Sequence, residues 1–277
     1  MGKILYIPHG GGPMPLLGHP GYARLSTMLR SLNDEVAGST AIVVVTAHWE
    51  ADRPALTSAE RPGMLFDYYG FPPETYDYDY PAPGAAALAG KVAAAMREGG
   101  FSPTLDDVRG YDHGVFVPMM LIRPEADIPV LQMSLISSLD AAQHLALGRC
   151  LAGLMQDDIT VIGSGFSFHN LGVLTGRMAV DPARAAGLAE AFHRWLDDTI
   201  CNPAYSDHER AERLAAWAQA PGARFCHPRE EHLLPLHVCF GAAAGAGMRA
   251  NQIFGEPVQG FQTSGYAWRQ IGTPSTI

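Results

Sequence analysis

Three histidines each follow a short apolar, largely β-branched run almost immediately. His9 follows Ile4-Leu5-Tyr6-Ile7-Pro8, His48 follows Ile42-Val43-Val44-Val45-Thr46-Ala47, and His169 follows Ile159 to Gly165 after a Phe-Ser-Phe step. In an open α/β sheet the loops beyond the carboxyl ends of the strands converge, so imidazoles placed there can meet although they are far apart in sequence. Imidazole suits Zn, Fe, Cu and Ni, and the economical chemistry for such a cluster is that of a transition metal. Two further segments add to it. His227-Pro228-Arg229-Glu230-Glu231-His232-Leu233-Leu234-Pro235 brings two histidines and two carboxylates to a loop-to-helix junction, and Arg109-Gly110-Tyr111-Asp112-His113-Gly114 sets an Asp beside a His and a flexible Gly. A lone histidine after a strand is most often a hydrogen-bonded structural residue; three at strand ends, with an Asp-His-Gly and a Glu-His, point to a shared site. His19, His144, His193, His208 and His237 have no such placement and read as packing or surface residues.

Buried parallel strands would position these groups. The runs Ile4 to Pro8, Ala41 to Thr46, Ile128 to Ser134 and Ile159 to Gly163 are continuous and apolar, as strands covered on both faces are. Helical patterns fill the intervals at Gly21 to Val36, Gly84 to Arg97, Asp140 to Met155, Pro182 to Ile200, Asp207 to Gln219 and His232 to Ala246. Strand-like sequence returns at Val258 to Trp268. The segment from Arg61 to Pro83 is a long loop dense in Tyr, Asp, Pro and Gly, and loops of that length inside a domain are usually functional. No linker or repeat divides the chain. The expectation is a single α/β domain over residues 1–277, a three-layer α/β/α arrangement around a mostly parallel sheet.

Composition narrows the function. Of 277 residues 47% are hydrophobic and the formal charge is −9, so there is no basic stripe for nucleic acid and no polybasic patch for an anionic membrane. No apolar run reaches the roughly 18–20 residues of a membrane span. The first residues lack a signal-type apolar stretch and cleavage site. Cys150, Cys201, Cys226 and Cys239 have no CxxC pairing, which suits reduced thiols in a cytoplasmic protein. The oligomeric state is not legible.

Competing motifs fail. His9-Gly10-Gly11-Gly12 looks like a lipase oxyanion loop, but Gly163-Ser164-Gly165 is not the Gly-x-Ser-x-Gly elbow that reading needs. The HExxH of zincin proteases is missing, and Pro13 and Pro15 follow the glycines where a dinucleotide fold would open a helix. The glycines instead let the backbone approach a metal-bound ligand closely.

The sequence resembles the class III extradiol ring-cleavage dioxygenases of the LigB-like superfamily, in the DOPA-type branch. The segments that carry the resemblance run in order along nearly the whole chain. They are His9-Gly10 with Pro13-Met14, Ala47-His48-Trp49-Glu50, Phe66-Asp67-Tyr68-Tyr69-Gly70-Phe71-Pro72, Tyr80-Pro81-Ala82-Pro83-Gly84, Arg109 to Gly114, Asp127-Ile128-Pro129-Val130, Gly163-Ser164-Gly165 with His169-Asn170-Leu171, and Glu231-His232-Leu233-Leu234-Pro235-Leu236. The first motif departs from the branch's more usual His-Gly-Ser-Pro.

The resemblance implies that His9, His48 and His232 hold a divalent metal. His169 would then stand beside it as acid/base or occasional fourth ligand, with His113 next to a bound diol. Another branch uses Glu as third ligand, so Glu231 is the alternative to His232. Fe(II) would serve ring cleavage, and Zn(II) also occupies sites of this branch. The partners would be a small aromatic diol and O₂. Gly11, Tyr69, Phe71, Asp112 and His227 are the candidate substrate-side residues, and Tyr111 would stack on the ring if it is not packed in the core. Arg109 and Arg229 are the cations available to an anionic substrate, Arg109 being equally placed to pair with Asp106, Asp107 or Asp112. Two other functions fit the same residues: a zinc-dependent hydrolase, and a non-catalytic interaction protein of the Memo type.

Overall fold

The β-branched runs form the middle of one sheet. The structure is a computed structural model that describes residues 2–270. Its strands are β1 (Ile4–Pro8), β2 (Ala41–Ala51), β3 (Ala55–Thr57), β4 (Thr104–Asp106), β5 (Val130–Ile136), β6 (Ile159–Gly165), β7 (Arg249–Val258) and β8 (Phe261–Arg269), in the order β4-β3-β5-β2-β6-β1-β8-β7. The four central strands β5, β2, β6 and β1 are mutually parallel. Antiparallel pairing appears toward the edges, where β3 meets β5, β8 meets β1 and β7 meets β8. Every residue of β1, β5 and β6 is buried, as expected of strands with helices on both faces.

The helices are α1 (Ala23–Ser31), α2 (Asn33–Val36), α3 (Ala86–Glu98), α4 (His113–Ile122), α5 (Ala141–Arg149), α6 (Leu171–Leu174), α7 (Pro182–Cys201), α8 (Asp207–Ala215), α9 (Ala223–Cys226) and α10 (Leu234–Gly245). Several begin where local chemistry dictates. Asp140 caps α5, Asp181 caps α7 ahead of Pro182, and Ser206 with Glu209 makes a reciprocal capping box on α8. The α10 helix packs on β6, β1 and β2 and against α5, while α4 lies on β2 and β6 and against α1. Gly148 of α5 and Gly241 of α10 make the closest approach, since a Cβ on either would run into backbone carbonyl of the other helix. Among the described residues no helix is long and apolar enough to cross a membrane.

The structure departs from the sequence reading in three places. The strand-like run at Val258 to Trp268 becomes β8, and ahead of it stands an unexpected strand, β7, joined to it by a turn at Gln259 and Gly260, both with positive φ. The helix α4 has no helical signal in sequence, because Gly114, Val115, Val117 and Pro118 are poor helix formers and burial on nearly all sides erases the 3.6-residue period. The predicted helices at Asp140 to Met155 and Asp207 to Gln219 each break into an α-helix and a separate 3₁₀ turn.

Two histidines outside the site are structural, as expected. His144 donates from Nδ1 to the Asp140 carbonyl and accepts from the Ile136 N–H at Nε2. His193 donates to the Ala189 carbonyl and accepts from the Ser167 hydroxyl. Burial lowers both to about 4. In the unfolded chain they protonate near 6.5, so below that pH the unfolded state binds more protons and stability falls. The urea midpoint should be flat above pH 7 and drop from about pH 6.5 toward 4, each imidazole adding a slope of up to about 1.4 kcal/mol per pH unit. A midpoint unchanged between pH 7.5 and 5 would contradict this.

Candidate metal centre

Three neighbouring parallel strands, β1, β6 and β2, end at the same edge of the sheet, and the site is built there. His9 is the first residue beyond β1, its N–H donating to the Gly165 carbonyl at the end of β6 at 3.0 Å. His48 is not beyond its strand but inside β2. The pairing of β2 with β6 stops at Thr46, while its register against β5 shifts between Val45 and Glu50, so residues 46–49 bulge from the sheet. Such a bulge re-aims a side chain, here into the space above β6. His232 is docked by its carbonyl, which accepts from the Phe166 N–H at 3.0 Å and the Tyr6 hydroxyl at 3.1 Å. His169 follows β6 and its N–H donates to Cys226 O at 2.9 Å. His113 opens α4.

The five rings meet. Nε2 of His48 lies 3.0 Å from Nε2 of His9 and 3.3 Å from Nε2 of His232. The His113 ring is 3.8 Å from that of His48, and the His169 ring stacks on His232 at 3.3 Å with 15° between planes.

The far side of each ring decides what those nitrogens are. His9 Nδ1 donates to the Ser164 hydroxyl at 3.0 Å, because that hydroxyl is itself donated to the Gly114 carbonyl. His48 Nδ1 faces Asp67 Oδ2 at 3.5 Å, and His232 Nδ1 faces Glu231 Oε1 at 3.1 Å. These partners favour the proton on each Nδ1, which turns the Nε2 lone pairs of His9 and His232 toward that of His48. Burial lowers the pKa of all three well below the ordinary histidine value, and the neighbouring imidazoles lower them further. Protonation is thus a poor way to relieve the clash, and a cation is a good one. Two imidazole nitrogens at about 2.1 Å from one ion lie roughly 3.0 to 3.4 Å apart for octahedral to tetrahedral angles, so the donor set fits a divalent transition metal.

Two carboxylates hold the rings. Asp67, on the long loop, also accepts from His113 at both Nδ1 (2.7 Å) and the backbone N–H (3.0 Å). Burial alone would raise its pKa, but the two hydrogen bonds from His113 and the electrostatic pull of the His113 and His48 rings outweigh that and bring it down to about 2. Glu231 also faces His169 Nδ1 at 3.3 Å and Arg229 at 3.3 Å, and Arg229 closes a bidentate pair with Glu50 at 2.5 and 2.6 Å. Burial again opposes, yet His169 and Arg229 leave its pKa lowered.

Other sequence candidates fall outside the cluster. Tyr69 is 90% exposed, Tyr111 is fully buried with its hydroxyl donating to Val130 O, and His227 is buried against Phe192 and Trp217 with Nε2 donating to Ser167 O. Asp112 is buried behind the rings, accepting from Thr46 and Arg109; burial raises its pKa. That pair, with Arg109 over the Trp49 ring at 4.5 Å, ties up Arg109, and Glu50 ties up Arg229. Gly11 stands in the loop after His9, and Phe71 is linked to His113 through Tyr68. A Cβ on Gly11 would stand 2.6 Å from the Tyr22 hydroxyl, and one on Gly12 would stand 3.0 Å from the Phe71 ring. Gly10 and Gly12 also hold positive φ, so the loop after His9 requires its glycines. Phe71 leans on Tyr68 and Tyr68 on His113, at 5.4 and 5.8 Å. Sequence reasoning gave no role to Asp67 or Ser164, although both stand in segments that carry the resemblance. Nothing in a separation of 46 residues couples Asp67 to His113.

A family profile described as the catalytic LigB subunit of aromatic ring-opening dioxygenase matches residues 18–265. The chain is 41% identical over 260 residues to the dioxygenase tasH of Hapsidospora irregularis, covering 88% of this chain and 78% of that one. It is 39% identical over 205 residues to a 4,5-DOPA dioxygenase extradiol of Beta vulgaris, with 73% of each chain covered. To the protein of that name in Escherichia coli K12 it is 33% identical over 242 residues, covering 87% and 85%. The crystal structure of an uncharacterized Escherichia coli K12 protein, JW3007, superposes with a TM-score of 0.74 at 25% identity, covering 96% of this chain and 99% of the other.

Proposed function

The chain belongs to the LigB family of aromatic ring-opening dioxygenases, and from that premise we propose that it is a non-haem Fe(II)-dependent extradiol dioxygenase cleaving a catechol-type ring with O₂. The observation that carries the proposal is the convergence of three Nδ1-anchored histidines on one point with two more imidazoles beside it. His9, His48 and His232 would hold the metal. Bound there, Fe(II) would acidify a coordinated diol and supply the redox capacity toward O₂ that zinc lacks.

The remaining residues handle the proton and the ring. Asp67 and Glu231 keep Nδ1 of His113 and His169 protonated, leaving each Nε2 free to accept a proton from a diol oxygen and return it later, the work of a general acid–base. Glu231 is the holder of His232 and His169 rather than a ligand, since its two oxygens already serve those rings and Arg229. The glycine loop lets backbone lie close to the ring of the diol, and Phe71 with Tyr68 forms an aromatic wall leading to His113.

The test is anaerobic reconstitution of the metal-free protein with Fe(II), followed by O₂ uptake and absorbance with a panel of catechols that includes DOPA. One O₂ consumed per diol, with a yellow ring-fission product, is expected from the Fe(II) form and not from the Zn(II) form. No uptake with any diol would overturn the proposal, and ester or amide hydrolysis by the Zn(II) form would replace it with a hydrolase.

A further inference from the structure

One carboxylate reaches two different rings on one side of the site. We propose that Asp67 is a positioning residue that fixes, through its two oxygens, the tautomer of a metal ligand and of an acid/base histidine together. The assignment of those two roles to His48 and His113 rests on the proposed function; the geometry does not. Asp67 Oδ1 receives the His113 backbone N–H at 3.0 Å and His113 Nδ1 at 2.7 Å, while Oδ2 faces His48 Nδ1 at 3.5 Å. An ionised carboxylate only accepts, so His113 Nδ1 carries its proton in the 2.7 Å hydrogen bond and the oxygen facing His48 Nδ1 favours the proton there too, which leaves both Nε2 atoms to present lone pairs. For His48 that lone pair is the one aimed between His9 and His232.

The placement of Asp67 does not depend on the rings alone. It sits at the N-terminus of α4, where the unpaired N–H groups and the helix dipole favour a negative charge, and the capping bond to the His113 N–H uses only Oδ1. A cap needs no more than that. The second oxygen is turned to His48, on the bulge of β2 19 residues earlier in sequence. Asp67 thus links the long loop, the start of α4 and the β2 bulge, and a shift in any of them would re-aim both histidines.

The Asp67→Asn variant separates this role from capping. The fixed His113 N–H keeps the amide oxygen at the Oδ1 position, so the NH₂ group must replace Oδ2 and point at His48 Nδ1. Two donors then face each other, and His48 relieves them by moving its proton to Nε2, the atom that binds metal. Zn²⁺ affinity, read by competition with a chromophoric chelator, should fall about 10- to 100-fold, the range seen when partners of metal-bound histidines are lost. The melting temperature of the metal-free variant should stay near the parent's because the cap survives. In the metal-free parent, imidazole ¹⁵N spectra should show Nδ1 protonated and Nε2 bare for both His48 and His113, a readout that needs no variant to fold. Zn²⁺ affinity within twofold of the parent, or a proton on Nε2 of either ring in the parent, overturns the proposal. Neither readout involves turnover, so failure of ring cleavage with every catechol would sink the proposed function and leave this inference to its own result.

Discussion

Replacing His48 with alanine should remove metal binding and ring-cleavage activity together, the largest effect expected of any single substitution here. His48 Nε2 is the common vertex, 3.0 Å from one neighbouring Nε2 and 3.3 Å from the other, so its loss leaves His9 and His232 without the atom that joins them. The affinity loss should exceed the roughly 10- to 100-fold that follows removal of an outer partner. Stability of the metal-free protein should move the other way. Three lone pairs packed in a buried space repel, and each ring is held neutral by burial, so deleting one relieves strain without opening the apolar core. The measurement is thermal melting with and without added Zn²⁺. The parent should gain stability as metal binds the folded state alone, while His48→Ala should show a melting temperature equal to or above that of the metal-free parent and no response to metal. A variant that keeps the metal-induced rise would show that His48 is not a ligand.

Alanine at His169 should give the second-largest effect and a different pattern. Its ring lies against His232 at 3.3 Å and its Nδ1 is held by Glu231, so it borders the metal position without being needed to define it. Under the proposed function its loss removes a proton acceptor, which is worth typically 10²- to 10⁴-fold in rate. Turnover with Fe(II) should fall by that amount while Zn²⁺ affinity stays within a few-fold of the parent. Metal loss equal to that of His48→Ala would make His169 a ligand instead. Unchanged turnover would leave His113 as the sole candidate for the proton transfer.

The pairing of a proposed ligand with a neighbouring imidazole recurs on both sides of the site. Asp67 joins His48 to His113, and Glu231 joins His232 to His169. In both, one carboxylate sets the tautomer of two rings, which is economical in a site where every buried proton must be assigned. Under the proposed function Glu231, adjacent to His232 and so a competing ligand by sequence, serves as its anchor.

Much of this was legible in the chain before any coordinates. Runs such as Ile42 to Val45 and Ile159 to Ile162 read as strands buried on both faces, and His9 does stand directly beyond its strand, whereas β2 runs on past His48. The motif segments placed His113, His169 and His232 in the same neighbourhood by resemblance. What the chain by itself could not determine depends on contacts between distant segments. Whether Tyr111 stacks on a substrate or fills the core depends on the carbonyls of Ala82, Pro83 and Val130. The helix α4, poor in helix propensity, exists because its neighbours bury it, and the bulge that turns His48 inward is a register shift between β2 and β5. The same holds for protons. Residue types supply imidazoles, but only the folded positions of Ser164, Asp67 and Glu231 decide which nitrogen of each ring is bare, because a tautomer is set by the partner of the opposite nitrogen and those partners come from elsewhere in the fold.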